Sequence, residues 1–264
     1  MRDVWVAADD IPLFESAWHW DHFYPLTGDM AGSNLEGWTT LAALAQATRR
    51  IRVGCQVTGM IYRHPAVLAN MASTVDIISE GRLELGIGAG WNEMETTAYG
   101  IALPALKERF DQFDEGVQVL LALLIEPEAT YQGRYFQLTG ARNEPKGVQR
   151  PHPPITIGGK GPKRTLRAVA TWAQQWNAIV ADPAEWLALK DVLLEHCATV
   201  GRDPAQIACS VNVGLTGTDD RAVAAAVEKV AGYRDAGVDI AVLGLPAMAP
   251  VALLDALADR LAEL

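Results

Sequence analysis

The chemistry in this chain starts from the stretch ESAWHWDHFYP, Glu15 to Pro25, where two tryptophans, two histidines and an aspartate share a few residues. Asp21 and His22 close a run, Ser16 to Trp20, that alternates small and large residues as a strand does. An Asp-His pair at the C-terminal end of a parallel strand can orient an imidazole and hold a proton beside a ligand. Trp18 and Trp20 can wall a planar ring. The same spacing also suits a capped strand end with core aromatics. In an extended strand His19 and Asp21 face away from Trp20 and His22, which argues against a metal set on this stretch, and no metal is expected.

Two glycine-rich turns follow. LELGIGAGWNE, Leu83 to Glu93, is an apolar strand running into Gly86, Gly88 and Gly90. Such a turn lets backbone approach a ring edge or a phosphate closely. Trp91 stands where a dinucleotide fingerprint would carry its last glycine, so that reading is weak. PPITIGGKGPKRTLRAVA, Pro153 to Ala170, ends a strand in Gly158-Gly159-Lys160-Gly161 and opens a helix. Free amides at a helix start, with Lys160, Lys163 and Arg164 close by, would suit an anion. Arg142, Lys146 and Arg150 could extend that basic lining, although charges in a loop are more often simply solvated.

The elements that must position these residues alternate. Strands are expected at Ser16–Trp20, Ile51–Val57, Leu83–Ile87, Ile155–Ile157, Gln175–Ile179, Ala208–Gly214 and Ile240–Gly244. Helices are expected near Glu36–Thr48, Pro65–Ile78, Ala105–Leu124, Lys163–Trp172, Ala184–Val200, Arg221–Ala236 and Pro250–Ala262. This rhythm means βα units and a parallel sheet. A loop-rich insertion at about 126–154 breaks it, and ATYQGRYFQL within it reads as a hairpin. The whole chain, 1–264, is expected to be one domain.

Composition narrows the function classes. Half the residues are hydrophobic, enough for a substantial core. The net charge of −10 argues against nucleic acid or an anionic membrane as partner. The three cysteines, Cys55, Cys197 and Cys209, have no metal-ligand spacing and suit a reducing compartment, and no signal peptide opens the chain. A cytoplasmic protein with a small-molecule substrate is the expectation.

Four segments in order, WHWDHF, the long run from Arg50 to Glu93, YQGRYFQL and PHPPITIGGKGPKRTLR, resemble the bacterial luciferase-like superfamily, specifically its coenzyme F420 (deazaflavin)-dependent oxidoreductase branch. The resemblance covers nearly the whole chain. It implies a (β/α)8 TIM barrel of the luciferase-like type, here apparently lacking the first βα unit, because relatives begin with a strand and most of a helix before the equivalent of DVWVAADD. A late start codon or a truncation would account for that. The resemblance further implies that Asp21 and His22 are the catalytic pair. Cofactor contacts would come from Trp20, Asp21, Gln56, Val57, Ala89, Gly90, Trp91, Gly159, Lys160 and Gly161. A cis peptide would fall at Gln56–Val57. The branch that acts on sugar phosphates has an acid after the glycine turn, where this chain has Trp91, with Glu93 farther on, so such a substrate is doubtful. The implied activity is hydride transfer between deazaflavin C5 and a small organic substrate, in a homodimer. An FMN-dependent monooxygenase and a non-catalytic cofactor-binding protein are the alternatives.

Overall fold

In a computed structural model of the chain, residues 1–246 and 248–264 are described. The first elements are α1 (Arg2–Asp10), β1 (Ser16–His19), α2 (Gly37–Ala47), β2 (Arg52–Cys55), β3 (Thr58–Gly59), α3 (Pro65–Ile78) and β4 (Leu83–Gly88). Next come α4 (Glu93–Ala98), α5 (Leu106–Ile125), β5 (Ala129–Gln132), β6 (Gln137–Ala141), β7 (Ile155–Gly158) and α6 (Thr165–Trp172). The chain continues with β8 (Gln175–Ala178), α7 (Pro183–Val200), β9 (Ala208–Gly214), α8 (Asp220–Asp235), β10 (Ile240–Gly244) and α9 (Ala252–Leu261). The seven expected strands and seven expected helices all form, with ends that move by a few residues.

The residues pack as two compact units, Trp18–Ile155 and Met1–Ala17 with Thr156–Leu264. In the Trp18–Ile155 unit, β2 runs parallel to β4 with Val53 beside Leu83, and β3 lies parallel to the end of β4 with Thr58 beside Ile87. Every residue of β4 is buried, which is why LELGIG reads as a continuous apolar run. Its one charged residue, Glu84, is paired with Arg52. Burial pushes the Glu84 carboxyl up, against the pull of Arg52. The helix starts follow local chemistry. Glu36 accepts from the amides of Trp38 and Thr39 before α2, and the His64 ring accepts from the Ala66 amide before Pro65 opens α3. The hairpin β5–β6 forms as an antiparallel pair.

The second unit carries β7, β8, β9 and β10, paired in that order and all parallel. Asp182 caps α7 by accepting from the Glu185 amide, Pro183 follows at the first helical position, and Gly201 closes the helix with φ +70°. Trp176 and Trp186 are fully buried and stacked, with ring centroids 6.4 Å apart. Among the described residues no helix is long and apolar enough to cross a membrane.

Candidate active site

β1 ends at His19, and the chain then leaves the strand through Trp20, Asp21 and His22. Asp21 and His22 are both buried, but they do not hold one another. Arg63, from the loop between β3 and α3, grips Asp21 with both arms of its guanidinium. Nη2 donates to Oδ1 at 2.8 Å and Nη1 donates to Oδ2. Nη2 also lies 3.6 Å from Glu36 Oε1. Burial works against the Arg63 charge, yet the hydrogen bond and charge of Asp21, helped by Glu36, hold its proton more tightly than usual. The chain passes close behind this pair: a Cβ on Gly37 would lie 2.9 Å from the Trp20 carbonyl oxygen.

His22 is held by Glu95. Its Nδ1 lies 2.7 Å from Glu95 Oε2. The Tyr62 hydroxyl donates to the same oxygen at 2.8 Å. The backbone amides of Phe23 and Tyr24 donate to Oε1 at 3.0 and 3.1 Å. One fully buried carboxylate therefore takes part in four hydrogen bonds. Burial pushes the Glu95 carboxyl up, but the bonds from His22, Tyr62 and the Tyr24 amide outweigh it, and the group sits below its ordinary value. Tyr62 moves the other way: burial and the neighbouring Glu95 push its phenol well up. Asn92 caps α4 by accepting from the Glu95 amide, and this places Glu95 one turn into the helix.

Around this pair lies an aromatic surface. Trp91 is 63% exposed, and its ring meets the His22 ring edge-on at 5.7 Å. Trp20 is 40% exposed. Phe23 stacks on Tyr99 at 4.2 Å and tilts against Tyr62 at 5.0 Å. The turn that delivers Trp91 needs its glycine. Gly90 has φ +84°, and a Cβ there would lie 2.6 Å from Ile61. Its carbonyl accepts from Arg109 Nη1 at 2.9 Å. The Gln56–Val57 peptide is cis. The Gln56 amide N–H donates to the His19 carbonyl at 2.8 Å, whereas the side-chain Nε2 is buried with no protein partner among the described residues.

The glycine turn of the other unit has its own geometry. Gly159 has φ +128°, and a Cβ on Gly161 would lie 2.8 Å from Thr165 Oγ1. α6 starts directly after this turn, and its first residue has no side-chain cap. Lys160 is not a free cation, since its Nζ lies 2.8 Å from Glu185 Oε1. The basic residues of the insertion serve the backbone. Lys146 donates to the carbonyls of Leu123 and Glu126 at the end of α5, and Arg150 donates to those of Gly147 and Gln149. For Lys146 the acceptors are carbonyls that the end of α5 leaves in need of donors.

Residues 6–252 match the family model described as Luciferase-like monooxygenase. The chain belongs to this family. The luciferase-like chain is 29% identical over 242 residues to the uncharacterized protein Rv0953c of Mycobacterium tuberculosis (strain ATCC 25618 / H37Rv), covering 89% of this chain and 79% of that one. It is 30% identical over 153 residues to an F420-dependent glucose-6-phosphate dehydrogenase of Amycolatopsis mediterranei (strain U-32), covering 58% of this chain and 44% of that one. A solved F420-dependent secondary alcohol dehydrogenase, in complex with an F420-acetone adduct, superposes with a TM-score of 0.87 at 20% identity, covering 98% of this chain and 92% of that one. Monooxygenases also stand among the similar proteins. The fold of this luciferase-like chain is therefore the α/β fold of the family's barrels.

Of the residues expected at the site, Trp20, Asp21, His22, Gln56, Val57, Ala89, Gly90 and Trp91 lie in the Trp18–Ile155 unit, and Gly159, Lys160 and Gly161 in the other. Sequence reading missed Arg63, Tyr62 and Glu95. The signal for Glu95 was present in the luciferase-like chain as Asn-x-x-Glu, an N-cap with an acid three residues on. Glu93, the acid noted there from sequence, is exposed.

Proposed function

We propose that this luciferase-like chain is an F420-dependent oxidoreductase that moves a hydride between the deazaflavin and a small organic substrate, working as a cytoplasmic homodimer. The observation that carries the reading is His22: Nδ1 is fixed by Glu95, and Nε2 has no protein partner among the described residues. The residues present fit a flat heterocycle. The buried Gln56 Nε2 is a donor awaiting an acceptor, and a deazaflavin or flavin offers ring carbonyls. When bound, the deazaflavin supplies hydride chemistry at C5, and the protein supplies orientation and electrostatics.

Trp20 and Trp91 would cover ring faces with exposed indole surface. Asp21, locked by Arg63, keeps spare lone pairs on both oxygens and would bond the ring edge. Gln56, Val57, Ala89 and Gly90 would offer backbone and amide contacts. Gly159, Lys160 and Gly161, before α6, would serve the phosphate through the amides of Lys160 and Gly161, since the Gly159 amide already donates to the Asn177 carbonyl at 2.9 Å. Lys160 would have to share its charge with Glu185. His22 would hold or move the proton that accompanies hydride transfer. His22→Ala is expected to lower turnover about 10²–10⁴-fold while F420 affinity changes little. Unchanged turnover in that variant removes His22 from the reaction.

A further inference from the structure

We infer that Glu95 is the positioning residue of this site: it fixes His22 with its proton on Nδ1, so that the ring presents a single lone pair, at Nε2, to the substrate. A carboxylate only accepts hydrogen bonds, so the 2.7 Å contact to His22 Nδ1 requires the proton to sit on that nitrogen. The other three partners of Glu95 are also donors, namely the Tyr62 hydroxyl and the amides of Phe23 and Tyr24. A carboxylate with four donors and no exposure is held ionised and in one orientation. The other charged or titratable groups around His22 do not compete for Nδ1. Asp21 is engaged by Arg63, Arg63 also faces Glu36, and the Tyr62 hydroxyl is committed to Glu95.

The consequence for chemistry rests on the F420 reading. A carbinol substrate would place its O–H toward Nε2. With hydride chemistry supplied by a bound deazaflavin, the carbinol C–H would leave as hydride, the O–H bond would break with its proton going to Nε2, and the oxygen electron pair would complete the C=O bond. The ring would then be an imidazolium beside the Glu95 carboxylate, which would stabilise it. In the reverse direction the same N–H protonates the alkoxide formed by hydride addition. Among the described residues Arg63 is paired with Asp21, and Arg109 donates to the carbonyls of Gly90 and Pro104. Exposed Trp91 and Tyr99 offer apolar surface, so the carbinol or carbonyl compound tested first is a neutral one.

Glu95→Gln tests the assignment sharply. The amides of Phe23 and Tyr24 can only donate, so they select the carbonyl oxygen of the new side chain at the Oε1 position. Its NH₂ then occupies the Oε2 position and donates to His22 Nδ1, which moves the ring proton to Nε2. The experiment is ¹⁵N NMR of histidine-labelled protein, at a pH where the ring is neutral, with His22→Gln identifying the signal among the five histidines. The native protein is expected to show protonated Nδ1 and bare Nε2. Glu95→Gln should reverse the two, and Tyr62→Phe should leave the native pattern in place. With F420 and neutral secondary alcohols or ketones, Glu95→Gln should lose about 10²–10⁴-fold in kcat with KM little changed.

A native ring protonated on Nε2 overturns the inference, and this measurement does not depend on the variant folding. A Glu95→Gln protein that loses thermal stability while keeping the native ring pattern and turnover overturns it as well, because its role is then structural. The NMR result needs no cofactor. A protein with the expected ring pattern that binds no F420 keeps Glu95 as the positioning residue and defeats the F420 reading instead.

Discussion

Asp21 and His22 are neighbours in sequence, yet each is held by a different partner. Arg63 lies 42 residues from Asp21, and Glu95 lies 73 from His22. Sequence order shows which residues could do chemistry here, since Asp21 and His22 fall where a strand ends. It does not show which carboxylate faces the imidazole, because that depends on how a loop and a short helix fold back onto β1. Asp21 is 1% exposed and meets the Arg63 guanidinium in place of water. Arg63→Ala leaves that carboxylate buried without its partner and is expected to cost about 3–5 kcal/mol, read as a fall in ΔG of unfolding by chemical denaturation. A loss below about 1 kcal/mol would mean that Asp21 finds another donor.

At the scale of elements, the long periodic segments were legible and the short ones were not. The β4 run and α3 are where their apolar patterns put them. β3 has 2 residues and α4 has 6, too few for any period to register. The hairpin within the insertion is legible from ATYQGRYFQL, whereas the bonds of Lys146 are not, because the carbonyls at the end of α5 cannot be seen without the fold. The glycines of the β4 turn do different jobs. Gly90 supplies a positive φ, while Gly86 supplies closeness: a Cβ there would lie 1.9 Å from the Cys55 carbonyl oxygen. Gly86→Ala must therefore push β2 away from β4 and is expected to destabilise by about 1–3 kcal/mol or more. Gly214→Ala, with nothing within 4 Å of the added Cβ, should shift the same denaturation curve by much less. Equal effects would contradict the close-approach account.

For the whole molecule, composition set the frame. An acidic chain with a net charge of −10 and a half-hydrophobic sequence suits a small-molecule site better than a nucleic-acid surface. The family and its fold were legible because their motifs run through most of the chain, in agreement with the match over residues 6–252. The choice between deazaflavin and flavin is harder to read, because both need aromatic faces, polar contacts at the ring edge and a phosphate grip. The most direct measurement is a fluorescence titration of the 264-residue protein with F420 and, separately, with FMN, followed through its 8 tryptophans. Exposed Trp20 and Trp91 should report binding by quenching. Saturable F420 binding is expected, with a Kd of about 1 μM or tighter and free energy near −8 kcal/mol, and FMN binding at least about tenfold weaker. Tighter binding of FMN, or binding of neither, would contradict it.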